Sequence, residues 1–184
     1  PGENVVYPYP SFIVYPLTTA VHFECGKKVM LDSNDKHDLV AMAEAVDENT
    51  KMVIVCNPNN PTGTYNSANQ FQTFMEAIPE KVIVLVDEAY FEYVTADDYP
   101  DVASMLISFP NIVIARTFSK IYSLAGLRVG YAFGHPDLIR ELHKTREPFN
   151  VNSLAQVAAI TCLDLDQEVS DRALRNKEWI ADLS

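Results

Sequence analysis

Short runs of apolar residues alternate with longer amphipathic stretches along most of this chain. The short runs are rich in valine and isoleucine, and they predict β-strands at residues 5–7, 21–24, 52–56, 82–86, 112–115 and 129–133. The amphipathic stretches predict helices or helical turns over residues 38–46, 68–77 and 123–127, the first of them capped near Asp35.

Three of the predicted strands, at residues 52–56, 82–86 and 112–115, are almost entirely apolar. Runs of this kind are typical of parallel strands that are covered by helices on both faces. The alternation therefore predicts an α/β fold, a three-layer α/β/α sandwich with a mostly parallel sheet. Because such sheets bind ligands at the carboxyl ends of their strands, the polar segments that follow these strands are the candidate site.

The pattern changes after Pro136. A charged helix is predicted over residues 137–146, residues 148–151 interrupt it, and long helices follow over 153–165 and 168–183. We expect residues 1–150 to form one α/β domain and residues 151–184 to lead toward a second domain. Because the chain opens on Pro1 and stops within a helical pattern, we expect it to be a piece of a longer protein.

Composition narrows the class of protein. The chain is 48% hydrophobic and 21% charged, as in ordinary globular proteins, and its net charge of −11 argues against binding to nucleic acid. The three cysteines have no disulfide or zinc spacing, and no apolar run reaches membrane-spanning length. We therefore expect a cytoplasmic protein that binds neither nucleic acid nor a membrane.

Lys120 is the residue around which the candidate chemistry is arranged. It ends the run Arg-Thr-Phe-Ser-Lys, directly after a predicted strand. A lysine that sheds its proton can form an imine with an aldehyde, although an isolated lysine at a strand end is more often an ordinary surface residue. The polar residues at the ends of the other strands favour the catalytic interpretation.

Asp87 and Tyr90 follow the strand at residues 82–86. A carboxylate there needs a cationic partner, such as a protonated pyridine nitrogen, and a tyrosine one turn later could donate to an oxygen on the same ring. Four apolar residues before Asp-Glu also describe the metal-binding strand of nucleotide hydrolases, but the glycine-rich phosphate loop of those enzymes is absent from the sequence. A carboxylate that caps a turn and a packed tyrosine are the structural alternatives.

The remaining candidates lie in loops. Asn60 belongs to a turn rich in proline and asparagine and could bond a ligand oxygen. Thr117, Ser119 and Arg128 could donate to a phosphate, although the first two could equally cap a local turn. Phe12 could stack on a flat ring or belong to the core. The four histidines have neither metal spacing nor a nucleophile partner, and we assign them no role.

An asparagine, an acid, a tyrosine, an amine and an arginine, which occur in this order along the chain, are the groups needed to hold pyridoxal phosphate. The sequence resembles the fold-type I pyridoxal-phosphate aminotransferases, and within them the histidinol-phosphate aminotransferase branch. The resemblance rests on residues 57–64, 87–90, 117–120 and 124–131, which occur in the order and spacing of that family, and it extends from residue 1 to beyond residue 152.

The resemblance implies a role for each candidate. Lys120 would bond the cofactor aldehyde and later move a proton between substrate and cofactor. Asp87 would bond the pyridinium nitrogen, Tyr90 and Asn60 the phenolic oxygen of the ring, and Phe12 would stack on the ring, where relatives often have tyrosine or tryptophan. The phosphate ligands would be Thr117, Ser119 and Arg128.

The resemblance also implies an activity and a missing part. It implies amino transfer between L-histidinol phosphate and 2-oxoglutarate by a homodimer. An aromatic amino-acid aminotransferase is the near alternative, and a carbon–sulfur lyase is a more distant one. Residues 1–150 would be a partial cofactor-binding large domain, without the small domain that holds the substrate carboxylate. We therefore expect these residues alone to be nearly inactive, and a non-catalytic cofactor-binding remnant is the alternative from another class.

Overall fold

The computed structural model describes residues 2–22 and 25–183, which form a sheet flanked by helices. The strands are β1 (Asn4–Tyr9), β2 (Cys25–Met30), β3 (Thr50–Cys56), β4 (Ile83–Asp87), β5 (Ile112–Thr117) and β6 (Gly130–Gly134). The helices are α1 (Val14–His22), α2 (Leu39–Glu44), α3 (Ala68–Ala77), α4 (Val102–Met105), α5 (Pro136–Thr145), α6 (Ser153–Cys162) and α7 (Asp166–Leu183). In these described residues, no helix is both long enough and apolar enough to cross a membrane.

The strands pair in the order β2-β1-β3-β4-β5-β6. The pairs from β2 to β5 are parallel, and β6 runs antiparallel to β5. Strands β3, β4 and β5 therefore end at the same edge of the sheet, where Cys56 is opposite Asp87 and Asp87 is opposite Ala115. The predicted α/β fold with a mostly parallel sheet is confirmed.

Apolar side chains cover both faces of the sheet. On one face, β-strand valines and isoleucines pack against α2, α3 and α4, with Phe71, Met42 and Met75 fully buried. On the other face, Val5, Tyr7, Ile54 and Cys56 form a second cluster with Tyr15 of α1. A third cluster joins Phe118 and Val129, at the ends of β5 and β6, to the small residues of α6. The burial explains why β3 and β4 are nearly all apolar.

The structure corrects two predictions near the amino terminus and adds one helix that was not predicted. Val21 and His22 end helix α1 instead of beginning a strand, and the other two residues of the predicted strand 21–24 lie outside the described residues. The first predicted helix is α2, and its cap is Asp38, which accepts from the amide of Ala41, not Asp35. Helix α1 was missed because Pro16 and its β-branched residues favour a loop or a strand, although proline is tolerated in the first turn of a helix.

The other differences concern short elements. The helical turn predicted over residues 123–127 is a 3-10 helix, Ala125–Leu127. A second 3-10 helix, Phe91–Tyr93, follows Tyr90. Strand β2 was not predicted because its sequence, CGKKVM, carries two lysines and a glycine. Lysine is common on edge strands, where it discourages pairing with another chain.

His37, the residue before the cap of α2, makes the stability of the fold depend on pH. Its side chain is 2% exposed, and burial lowers its pKa to about 4. Between pH 6.5 and 4 the unfolded chain binds a proton that the folded chain does not, so the free energy of unfolding falls as the pH drops through this window. We expect His37 to account for a loss of about 3 kcal/mol between pH 7 and 4.

The measurement is urea unfolding of the wild type and His37→Asn at pH 7, 5.5 and 4. Other groups titrate in both proteins, so the difference between the two curves isolates His37. A pH dependence that is the same in both proteins would contradict the prediction.

Candidate functional site

The candidate site lies at the edge where the parallel strands end. Asp87 is the last residue of β4, Thr117 is the last residue of β5, and the loop that begins at Asn57 follows β3. The amide of Asn57 donates to the carbonyl of Asp87, and the amide of Glu88 donates to the carbonyl of Ala115 (3.0 and 2.9 Å). These bonds continue the sheet pairing into the loops and fix the relative positions of the site segments.

Asp87 is held by two donors. The hydroxyl of Tyr15 donates to Oδ2 (2.7 Å), and the amide of Ala89 donates to Oδ1 (3.1 Å). Tyr15 is 5% exposed, and burial, then the neighbouring Cys56 and Asp87, raise its pKa well above the ordinary value. Tyr15 therefore remains protonated and is a permanent donor to the carboxylate.

Phe12 is placed by the same segment. Its carbonyl accepts from the amide of Tyr15 (3.1 Å), and the two rings meet edge to face with centroids 5.8 Å apart. Phe12 is 38% exposed, so part of its ring is available to a ligand. The structure thus brings Phe12 close to Asp87 through Tyr15, which sequence reasoning did not identify.

Tyr90 and Lys120 are direct neighbours. The ammonium nitrogen of Lys120 lies 5.2 Å from the centroid of the Tyr90 ring, within the range of a cation–π contact. Tyr90 is half-buried at the start of the 3-10 helix, whereas Lys120 is exposed on the turn after β5. The structure therefore brings together a phenol and an amine from the ends of two adjacent strands.

Two buried asparagines fix the loop of residues 57–63. Asn57 accepts from the amide of Asn66 (2.9 Å), and Asn59 donates to Thr62 and accepts from the hydroxyl of Ser11 (2.9 and 2.7 Å). Asn60, which follows Asn59, is half-buried and lines a cavity of about 480 Å³ together with Tyr90. Asn60 and Tyr90 thus line the same cavity, and their shared role toward a ligand stays a prediction.

The predicted phosphate ligands form a separate group. The hydroxyl of Thr117 accepts from the amide of Ser119 (3.0 Å), which is the local turn contact considered from the sequence. Arg128 has a left-handed backbone (φ 55°), and its guanidinium donates to the carbonyl of Ala125 (2.8 Å). The backbone next to Arg128 is nonetheless paired with this turn, since Phe118 donates to Val129 (3.2 Å). The backbone segments of the three candidate residues therefore lie together, but the Arg128 side chain points toward its own loop.

Glu88, the residue after Asp87, forms an ion pair that the sequence analysis did not identify. Arg116 donates to Oε2 of Glu88 through Nε and Nη2 (2.8 and 2.7 Å), and its guanidinium carbon lies 3.6 Å from the centroid of the Phe91 ring. The hydroxyl of Tyr99 donates to Oε1 of Glu88 (3.5 Å) and to the carbonyl of Asn57. Burial raises the pKa of the Glu88 carboxyl, and pairing with Arg116 opposes that shift.

A sequence signal for this pair existed. Glu88 and Arg116 both adjoin predicted site residues and carry charge next to strongly apolar strands. Charges at such positions are expected to be paired. Tyr15 had no comparable signal, because it lies in a segment whose helix was not predicted.

A parallel sheet with an amine, a carboxylate and aromatic rings at its carboxyl edge is the arrangement of cofactor-dependent α/β enzymes. The family of class I and II aminotransferases matches residues 1–182, and the chain belongs to it. The membership predicted from the motifs is therefore confirmed.

Individual relatives show which members of this family the chain resembles. The chain is 46% identical over 180 residues to the histidinol-phosphate aminotransferase of Bacillus licheniformis, covering 98% of this chain and 50% of that protein. It is 47% identical over 161 residues to that of Bacillus subtilis strain 168, covering 88% and 45%. The chain thus spans about half the length of the curated relatives it matches.

A solved structure agrees with this similarity. The histidinol-phosphate aminotransferase of Sinorhizobium meliloti, crystallised in complex with pyridoxal-5'-phosphate, superimposes with a TM-score of 0.87 at 33% identity. The superposition covers 94% of this chain and 47% of that one.

Proposed function

We propose that this chain is part of a pyridoxal-phosphate-dependent aminotransferase that transfers an amino group between L-histidinol phosphate and 2-oxoglutarate. The observation that carries the proposal is the meeting, at one sheet edge, of a carboxylate held by two donors with an amine set over a tyrosine ring. The names of the relatives support the choice of substrates.

The chemistry of the donor set fits pyridoxal phosphate. Tyr15 and Ala89 use one acceptor position on each oxygen of Asp87, which leaves further lone pairs for a pyridinium N–H. Asn60 and Tyr90 would bond the phenolic oxygen, and Phe12 would stack on the ring. Thr117, Ser119 and Arg128 would hold the phosphate once the Arg128 side chain turns from Ala125. When bound, the cofactor supplies an electron sink for the substrate α-carbon.

Two residues of this chain would do the chemical work. Asp87, a carboxylate at the end of a buried strand, would keep the pyridine nitrogen protonated through charge pairing. Lys120 would be the nucleophile that attaches the cofactor and then the base that moves a proton at its Nζ. Because Lys120 is exposed on its turn, its amine can reach a ligand without a change in the sheet.

The test is covalent mapping of the cofactor. The chain is mixed with pyridoxal phosphate, reduced with borohydride, digested, and the modified peptide is identified by mass spectrometry. We expect one dominant modification, at Lys120, and retention of the cofactor on gel filtration. Modification spread over surface lysines would refute the proposed site. A protein of the relatives' length that binds the cofactor at Lys120 but transfers no amino group would favour the alternative of a non-catalytic binding remnant.

Aromatic amino-acid transamination is the second candidate, and the cavity next to Tyr90 favours it. Of the described residues that line the cavity, none is charged, and Tyr65, Tyr90 and Tyr93 contribute rings. Such a lining suits an aromatic side chain better than a phosphate, which calls for cationic donors. Rates with histidinol phosphate and phenylalanine, measured on a protein of the relatives' length, would separate the two candidates.

The proposal includes the location, the oligomeric state and the domain organisation of the whole protein. We infer that the whole protein is a cytoplasmic homodimer acting on small amino-acid and 2-oxo-acid substrates. We further propose that residues 1–150 are its cofactor-binding large domain and that residues 151–184 lead toward a small domain. The third cluster, which joins α6 to Phe118 and Val129, would then connect the position of that domain to the Lys120 turn.

A further inference from the structure

Tyr15 is a buried residue with a polar hydroxyl to which the proposed chemistry has so far given no role. It lies on α1, its ring belongs to the cluster that covers one face of the sheet, and its hydroxyl reaches Asp87 at 2.7 Å. The two residues are 72 positions apart in the chain, so their contact depends on the docking of α1 on the sheet. A buried phenol needs a partner, but a backbone carbonyl would have satisfied it equally well.

The contact fixes the orientation of a charged group. With Tyr15 on Oδ2 and the amide of Ala89 on Oδ1, both oxygens are held and the plane of the carboxylate cannot rotate freely. A bond from a hydroxyl to a carboxylate is among the stronger hydrogen bonds in proteins. The free lone pairs of Asp87 are therefore aimed before any ligand arrives, which reduces the cost of binding.

The segment that carries Tyr15 also fixes the position of Phe12. Because the carbonyl of Phe12 accepts from the amide of Tyr15 and their rings are in contact, the position of one side chain constrains the other. One short segment thus sets both the candidate stacking ring and the carboxylate for the ring nitrogen.

We propose that Tyr15 is a positioning residue, which acts through Asp87 to orient the carboxylate toward the ring nitrogen of the cofactor. This inference rests on the proposed function. The inference predicts a specific result, namely that replacing Tyr15 weakens binding only of a ligand that contains this ring nitrogen. A residue that only supports the fold would affect all ligands of the same shape alike.

The experiment compares two ligands in wild type and Tyr15→Phe. One is pyridoxal phosphate, and the other is its analogue in which a C–H group replaces the ring nitrogen. Binding is followed by absorbance and by borohydride fixation at Lys120. We expect Tyr15→Phe to weaken binding of pyridoxal phosphate about tenfold, as for the loss of one charge-assisted hydrogen bond, and to leave the analogue unchanged.

Two further variants complete the test. Tyr7→Phe removes a buried phenol hydroxyl from the same cluster, where the Tyr7 ring lies against Gly26, and should change neither affinity. Asp87→Asn should weaken pyridoxal phosphate, and adding Tyr15→Phe to it should cause no further loss, because both act through one carboxylate. Far-ultraviolet circular dichroism and urea unfolding verify that each variant folds.

The outcomes are distinguishable. Equal weakening of both ligands, unchanged affinity for pyridoxal phosphate, or additive losses in the double variant would overturn the role of Tyr15 and leave the proposed function intact. A folded wild type that fixes no cofactor at Lys120 would overturn both.

Discussion

Replacing Lys120 by alanine is expected to abolish covalent attachment of pyridoxal phosphate to this chain. In a protein of the relatives' length, the same change should lower the rate of amino transfer by about 10⁴-fold or more, because one amine would serve as both nucleophile and proton carrier. Non-covalent binding should persist, since Asp87 and its two donors do not depend on Lys120. The measurement is absorbance before and after borohydride, followed by gel filtration.

Lys144→Ala is the control for this prediction. Lys144 is an exposed lysine whose ammonium pairs with Glu141 on α5, and its loss should change neither attachment nor rate. Addition of a small primary amine to Lys120→Ala should restore part of the rate, because the missing group is a proton acceptor of the same chemistry. Borohydride labelling that is undiminished in Lys120→Ala would show that the central assignment is wrong.

Replacing Arg116 by alanine is expected to lower the free energy of unfolding by about 3–5 kcal/mol. The change leaves Glu88, whose side chain is completely buried, without the cation that is paired with it. It also removes the guanidinium that packs on the ring of Phe91. Urea unfolding at neutral pH, followed by circular dichroism, measures the loss.

Arg140→Ala is the matched control. Arg140 pairs with Asp137 at 2.8 Å, but both side chains are exposed, so breaking this ion pair should cost less than about 1 kcal/mol. Combining Arg116→Met with Glu88→Leu should recover much of the loss, because no buried charge is then stranded. An Arg116→Ala variant as stable as Arg140→Ala would contradict a structural role for the buried pair.

The sequence predicted the features that depend on local pattern. Residues 68–77 were predicted to be helical and are helix α3, which a capping box between Ser67 and Gln70 begins. The strands that precede Asp87 and Lys120 were recognisable because burial on both faces makes them continuously apolar. Their order then placed both residues at one edge, since parallel strands end together.

The features that the sequence analysis missed depend on contacts between distant parts of the chain. Tyr15 contacts Asp87 only after α1 packs on the sheet, and α1 itself was not predicted because it contains Pro16. Glu88 and Arg116, 28 residues apart, pair because β4 and β5 are neighbours. Such partners cannot be assigned from spacing along the chain. They require the sheet order, which pattern alone does not supply.

Asp87 and Glu88 are consecutive acids that serve opposite sides of the sheet. Asp87 meets Tyr15 on the side of α1, whereas Glu88 meets Arg116, which packs on Phe91 and Phe133. Because side chains along a strand alternate between faces, inserting or deleting one residue in β4 would turn each acid to the opposite face of the sheet. Glu88 would then lie on the side of α1 and Asp87 on the side of Arg116, so that neither contact described above could form as it does now. Evolution can therefore vary the loops around this strand in length, but a single-residue insertion or deletion within β4 would disable the site and destabilise the fold together.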